Sequence, residues 1–348
     1  MKSNLNRLAL TFGRPILGVH NQTNGILFDV IECLIQRNFQ YANSDIRICY
    51  KRIKEKLYDT RYSKVVFILH SQGGIEGGLV LDWLLQELPQ DLLVKLEVYT
   101  FGCAANHFNN PHRHAISQQL TGDHPAAALR SLISTTVTAS PIESPVASQL
   151  GRGAINGHAT AAGLPQDASG SSLASSRTLS AAAQDRALGH IEHYAHQTDF
   201  VAMWGVLHFA TSKLGSHDLP RFIGRLFVGR RGGHQFCQHY LDGMFPLARD
   251  AATGEFTGAA DASDFMDSVV QLGQEGDAAR DMREAFEISY LGARGFGSGA
   301  YEEAVEVHGS GRRRSRRTVR VKDLSRLWLY RNGKSPLDTV TLPRNATM

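Results

Sequence analysis

Along the first third of the chain the spacing of apolar side chains switches repeatedly between two periods, and each switch predicts an element. Pro15 to Val19, PILGV, reads as a short strand that breaks at a polar turn, His20 to Gly25. In the next stretch, ILFDVIECLIQRNF, Ile26, Leu27, Val30, Ile31, Leu34 and Ile35 recur at helical spacing. Asp45 to Tyr50, DIRICY, alternates apolar and polar positions as a strand does. Lys64 to Leu69, KVVFIL, is an unbroken β-branched and aromatic run, the pattern of a central strand covered on both faces. It runs into His70, Ser71, Gln72, Gly73 and Gly74. From Ile75 the sequence IEGGLVLDWLLQEL carries an apolar face of Leu79, Val80, Trp83 and Leu84 and stops near Pro89, which predicts a helix. Leu96 to Phe101, LEVYTF, is the next strand.

The pattern then fails. From about Thr121 to about Ala187 small residues dominate and large apolar ones are scarce, a composition that cannot offset the entropy of ordering the chain. A disordered insertion is expected there. Regularity returns with HIEHYAHQ, His190 to Gln197, read as a strand, followed by Asp199 and an apolar stretch. Arg225 to Val228 reads as the last strand, and Gly232 to Phe245, GGHQFCQHYLDGMF, as a loop that turns helical. Residues Ala251 to Gln274 look weakly ordered, and Val321 to Tyr330 predicts a short amphipathic helix with Leu324, Leu327 and Leu329 along its apolar side. Strands alternating with helices predict an α/β fold, a mostly parallel sheet flanked by helices. Four regions follow: 1–120 and 189–250 as the two parts of one domain, 121–188 as the insertion, and 251–348 as a helical or irregular extension with a basic loop.

Composition adds limits. A chain of 348 residues with 42% hydrophobic and 20% charged positions can bury a sizeable core. No stretch is apolar enough over sufficient length to span a bilayer, and MKSNLNRLALTFGRP lacks the pattern of a signal peptide, so a cytoplasmic protein is expected. The four cysteines, Cys33, Cys49, Cys103 and Cys237, lack the paired spacing of a disulfide framework or zinc site and read as reduced thiols. Much of the formal charge of +4 lies in Arg312 to Arg317, RRRSRR. That run reads first as a solvated loop, with a nuclear-import signal or an anionic-membrane contact, helped by the Trp328 helix, as the alternatives. A nucleic-acid partner is not expected.

The chemistry concentrates at Ser71. An acyl-transfer nucleophile needs its hydroxyl held above the sheet, beside a base and near amide donors. A sharp strand-to-helix turn provides this and demands small residues around it, here Gly73 and Gly74. The helix that follows also points its N-terminal amides at the site. The plainer alternative is that Ser71 caps this helix. On the residues PILGVHNQTNG, VVFILHSQGGIEGG, EVYTFGCAANHFNNP, HQTDFVAMWG and GGHQFCQHYLDGMF, the chain resembles the α/β-hydrolase superfamily, and more closely a group of lipase-like fungal serine hydrolases. The resemblance covers about Arg14 to Phe245 outside the insertion. It implies a Ser-His-Asp triad with Gln72 following the nucleophile. The sequence departs from the Gly-x-Ser-x-Gly elbow at Leu69, which stands where a small residue is usual and is expected to strain the turn.

In this fold the partners follow in the order serine, acid, histidine. Asp199, directly after the HIEHYAHQ strand, is the expected acid, with capping of the Phe200 to Leu207 segment as its other reading. Two histidines compete as base. His239, in an HYL setting like the histidine site of lipase-like relatives, is the choice, and His234 is the alternative. One oxyanion donor is expected from the amide of Gln72 and the second from Asn21 or Gln22 in the turn after the first strand. No metal or other cofactor is expected: on a strand His193 faces away from His190 and His196, and His107, His112 and His114 sit in a loop without a ligand set. The expected activity is hydrolysis of a carboxylic ester, with a small-molecule or lipid acyl ester as substrate. The alternative is a catalytically weak hydrolase-fold protein serving as a binding or scaffolding module, favoured by Leu69.

Overall fold

The computed structural model describes residues 2–20, 26–123, 181–182, 184–211, 222–230, 232–272, 287–291, 302–305, 315–318 and 320–336. Helices α1 (Lys2–Phe12), α2 (Ile26–Phe39) and α3 (Ser44–Tyr58) precede strand β1 (Val65–His70). Helix α4 (Gly73–Glu87) leads from β1 to β2 (Leu96–Phe101), and β3 (His190–His196) and β4 (Arg225–Gly229) follow. A hairpin of β5 (Leu247–Arg249) and β6 (Phe256–Ala259) precedes β7 (Val270–Leu272) and β8 (Glu287–Leu291). The main sheet has the order β1-β2-β3-β4-β8-β7, parallel except for β7, which runs antiparallel to β8. Helices cover a mostly parallel sheet, as the alternating pattern predicted.

Period-two side-chain alternation sends β2 and β3 residues to two different cores. Val98, Ile191 and Ala195 join α3 and α4 residues such as Ile53, Leu57, Leu79 and Val80 on one face. Tyr99, Phe101 and Tyr194 meet Leu8 and Phe12 of α1 together with Tyr240, Trp328 and Tyr330 on the other. The second core holds two buried carboxylates at the amino ends of the strands. Glu97 accepts from Tyr99 and Tyr330 and pairs with Arg326, while Glu192 accepts from Tyr194 and from the Arg326 and Leu327 amides. These bonds dock the segment 320–336 onto the sheet.

Several expectations are corrected. Pro15 to Val19 does not form a strand with any of the described residues. Asp45 to Tyr50 lies in α3: Ile46, Ile53 and Leu57 carry a helical period onward, and the Asn43 side chain caps the start by accepting from the Ile46 amide. Among the described strands β1 is at the edge of the sheet rather than its centre, and Val66 is exposed there. β4 is not the last strand, because β8 pairs with it. Residues 251–272 contribute β6 and β7. The predicted helix at 321–330 breaks at Ser325, and Trp328 and Leu327 are buried while Leu329 is exposed. Of the expected insertion, Ala187 and Leu188 are buried in the fold, and most of the remainder lies outside the described residues. The same holds for Arg312 to Arg314, whereas Ser315 to Arg317 of that run are not a loop: they lie in a strand, Ser315–Thr318, antiparallel to Glu302–Val305. Among the described residues no helix is long and apolar enough to cross a membrane.

Candidate active site

All the parallel strands end on one edge of the sheet, and Ser71 sits there at the turn from β1 into α4. Its φ of 59° is left-handed, a conformation a serine adopts only when its surroundings impose it. Three backbone bonds do so: the Ser71 amide donates to Phe101 O, and its carbonyl accepts from the Gly74 and Ala104 amides. Gly74 is required because a Cβ there would run into Cys103 Sγ. Leu69, the departure from the usual elbow, meets no obstacle. Gly77, one turn into α4, leaves the recess that the Leu69 methyls fill, and a Cβ on Gly77 would collide with them.

The Ser71 hydroxyl lies 2.7 Å from His234 Nε2. On the far side of that ring, Nδ1 is 2.9 Å from Asp199 Oδ2 and 3.0 Å from Oδ1. With the proton on Nδ1, His234 donates to Asp199 and accepts from Ser71, the arrangement by which a serine hydroxyl can be deprotonated as it attacks a carbonyl. Asp199 is fully buried and takes two further kinds of donor. Its Oδ1 accepts from the Val201 and Ala202 amides, so it caps the helix Phe200–Trp204, and its Oδ2 accepts from the Tyr240 hydroxyl at 2.6 Å. Asp199 therefore caps the helix, as its other reading expected, while the same carboxylate faces the His234 ring. Burial pushes its carboxyl up, but the bonds from His234 and Tyr240 more than offset that and hold it below the usual carboxylate range. It stays ionised opposite the imidazole.

His239 is not beside Ser71, and this corrects the expected base. It stands in the single π-helical turn Phe236–Leu241, and its Nδ1 accepts the Gln235 amide four residues back, while its carbonyl accepts from His196 Nε2. Its ring packs over Gly233, where a Cβ would collide with it. His239 thus shapes the loop that presents His234. His70 does the same from the strand: its Nε2 donates to the His234 carbonyl at 2.7 Å and its ring stacks on the His234 ring at 4.7 Å. Burial, reinforced by the neighbouring His234, lowers the His70 pKa to about 4, so His70 is neutral at physiological pH.

Tyr240 and His70 were missed in the sequence. Each adjoins a residue already singled out, and their roles depend on tertiary packing that spacing does not encode. Gly102, with φ of 52°, was missed too, although it lies at the meeting point of Asp199, Tyr240 and His234.

Among the described residues the Gln72 amide has no backbone acceptor, unlike those of Ser71, Gly74 and Ile75, and it stands at the start of α4 where a developing oxyanion would be favoured. The buried Gln72 side chain donates to Gln36 of α2, and Gln36 donates to Glu32. Asn21 and Gln22, the expected second donors, lie outside the described residues. His193 is buried on the opposite face from His190 and His196, bonded to Thr100 and the Ile223 carbonyl. Among the described residues no cluster of His, Cys, Asp or Glu is placed to hold a metal ion. Cys33 and Cys103 are buried, Cys49 and Cys237 are partly exposed, and none of the four is in a disulfide among the described residues. Compared with known protein families, with curated proteins and with solved structures, the chain matches none of them.

Proposed function

We propose that this chain is a serine hydrolase of the α/β-hydrolase type that cleaves a carboxylic ester, with a lipid acyl ester as the substrate that its sequence resemblance favours. The observation that carries the reading is the unbroken relay Ser71, His234, Asp199, with the serine on a left-handed elbow at the head of a helix. Ser71 Oγ attacks the ester carbonyl while His234 Nε2 takes its proton. The Gln72 amide and the amino end of α4 stabilise the oxyanion. As the tetrahedral adduct collapses, the imidazolium returns the proton to the leaving alkoxide. Water then repeats the two steps on the acyl-enzyme, releasing the carboxylic acid. Asp199, held by Tyr240 and two amides, keeps Nδ1 protonated and the ring aligned.

The room that Gly77 leaves for the Leu69 methyls supports the catalytic reading over a catalytically weak binding module. The test is a panel of p-nitrophenyl and glycerol esters of increasing acyl length, assayed with wild type and Ser71→Ala. Turnover that disappears in Ser71→Ala supports the proposal. A folded wild type that cleaves no ester, or cleavage that survives the substitution, refutes it.

A further inference from the structure

Helix α2 is mounted with an apolar stripe facing outward. Ile31, Ile35 and Phe39, spaced by four, are 47%, 44% and 79% exposed, and Leu34 beside them is 37% exposed. Its inner side is partly polar: Gln36 and Arg37 are buried with Cys33. Those polar groups fix the rotation of the helix. Gln36 bonds to Gln72 at the elbow, and Arg37 lies 4.1 Å over the Trp204 ring while Nη1 donates to the Ala104 and Trp204 carbonyls. Turning the stripe inward would break all of these bonds, so the outward apolar face is built in.

Beyond α2, Tyr41 in the connection and Ile48 in α3 are also exposed, at 61% and 50%. From there the surface becomes basic. Helix α3 holds Arg47, Lys51, Arg52, Lys54 and Lys56 against only Asp45 and Glu55, and Arg47, Lys51 and Arg52 are exposed. Lys54 is paired with Glu87 and Arg52 with Glu55. An exposed apolar helix face joined in sequence to an exposed basic helix is a composition suited to the boundary of an anionic bilayer: the apolar side chains enter the acyl region while Lys and Arg meet the headgroups. The Trp328 segment cannot play this part, because Trp328 and Leu327 are buried.

We propose that the outer face of α2, with the basic surface of α3, is a docking surface for a membrane carrying anionic lipid. The proposal does not depend on Ser71 chemistry. Because the inner side of α2 holds Gln72, docking places the candidate site one helix diameter, about 10 Å, behind the contact face.

The test is flotation of the full chain with phosphatidylcholine vesicles and with phosphatidylcholine vesicles containing phosphatidylserine, alongside sedimentation velocity without lipid. Ser71→Ala is carried in parallel so that binding is read apart from any hydrolysis. The expected result is binding to the phosphatidylserine vesicles that is at least about tenfold weaker on neutral vesicles or in high salt. Ile35→Ser/Phe39→Ser and Arg47→Glu/Lys51→Glu should each weaken it by a similar factor. Absence of binding to phosphatidylserine vesicles, or binding that both double variants leave intact, overturns the proposal. So does a wild-type dimer that Ile35→Ser/Phe39→Ser converts to monomer, which would assign the face to a second copy of the chain. The two double variants change different residues, so if one fails to fold the other still tests the face.

Discussion

A single methyl group at Gly102 should disable the site. The glycine φ of 52° is left-handed, and a Cβ built there lies 2.5 Å from Asp199 Oδ2, 3.0 Å from the Tyr240 hydroxyl and 3.1 Å from His234 Nδ1. None of these is the free end of a flexible side chain, because Asp199 is held by four donors and Tyr240 is fully buried. Gly102→Ala must therefore bear the conformational cost of a left-handed alanine, about 1 kcal/mol. It must also displace the Asp199 carboxylate from at least one charge-assisted bond, worth about 1.5–3 kcal/mol. The sum is about 2.5–4 kcal/mol, which in a domain of this size lowers the thermal midpoint by roughly 5–16 °C. Displacing the relay by a fraction of an ångström also slows any reaction at Ser71 by about a hundredfold. Differential scanning calorimetry reads the first effect and the second-order rate of fluorophosphonate labelling the second. A Gly102→Ala protein with wild-type midpoint and wild-type labelling rate would refute the packing described around Asp199.

Three further outcomes follow from the geometry. His234→Ala should lower ester turnover by about 10⁴-fold or more, whereas His239→Ala should retain most of it and lose about 1 kcal/mol of stability with its bond to the Gln235 amide; the reverse ranking in steady-state kinetics would reinstate His239 as the base. Gly77→Ala should destabilise by about 1–3 kcal/mol, and in the presence of Leu69→Ala the added cost should shrink, a coupling that a double-mutant cycle of denaturant unfolding measures. Burial opposes the charge of Glu97, but Arg326, His190 and Tyr99 more than offset it and hold the folded carboxyl at about 2, below its ordinary value of 4.5. That stabilisation is present above about pH 4.5 and is lost as pH falls toward 2. Arg326→Leu should therefore cost about 3–5 kcal/mol at pH 7, and its deficit relative to wild type should narrow by pH 3 in urea titrations.

The parts of the fold legible in the sequence are those whose period and punctuation agree. The β1 run into Ser71, the α4 apolar face ending at Pro89, and the strands Leu96–Phe101 and His190–His196 all carry that agreement. Asp45–Tyr50 misleads because the exposed Ile48 supplies a false alternation, while the helical positions Ile53 and Leu57 that disclose α3 lie beyond that window. Helix α1 has only Leu8 and Phe12 turned to the core and gives a weak signal of its own. The edge position of β1 is invisible locally, since a continuous apolar run does not say which neighbours it has. In the site, Ser71 and Asp199 follow from the ends of strands, but the choice between His234 and His239 depends on how the loop ahead of a π-helical turn presents the first imidazole while the turn itself holds the second. Residue type and order cannot separate them. Leu69 likewise acquires its meaning only from Gly77 across the strand-helix contact.

The most direct test of the central claim is to label the native chain with a fluorophosphonate and locate the adduct by peptide mass spectrometry, in wild type, His234→Ala and His239→Ala. The account predicts a stoichiometric adduct on Ser71 that forms in wild type and His239→Ala and is lost in His234→Ala. A folded wild type that stays unmodified at Ser71, or one that reacts there equally well without His234, would contradict it.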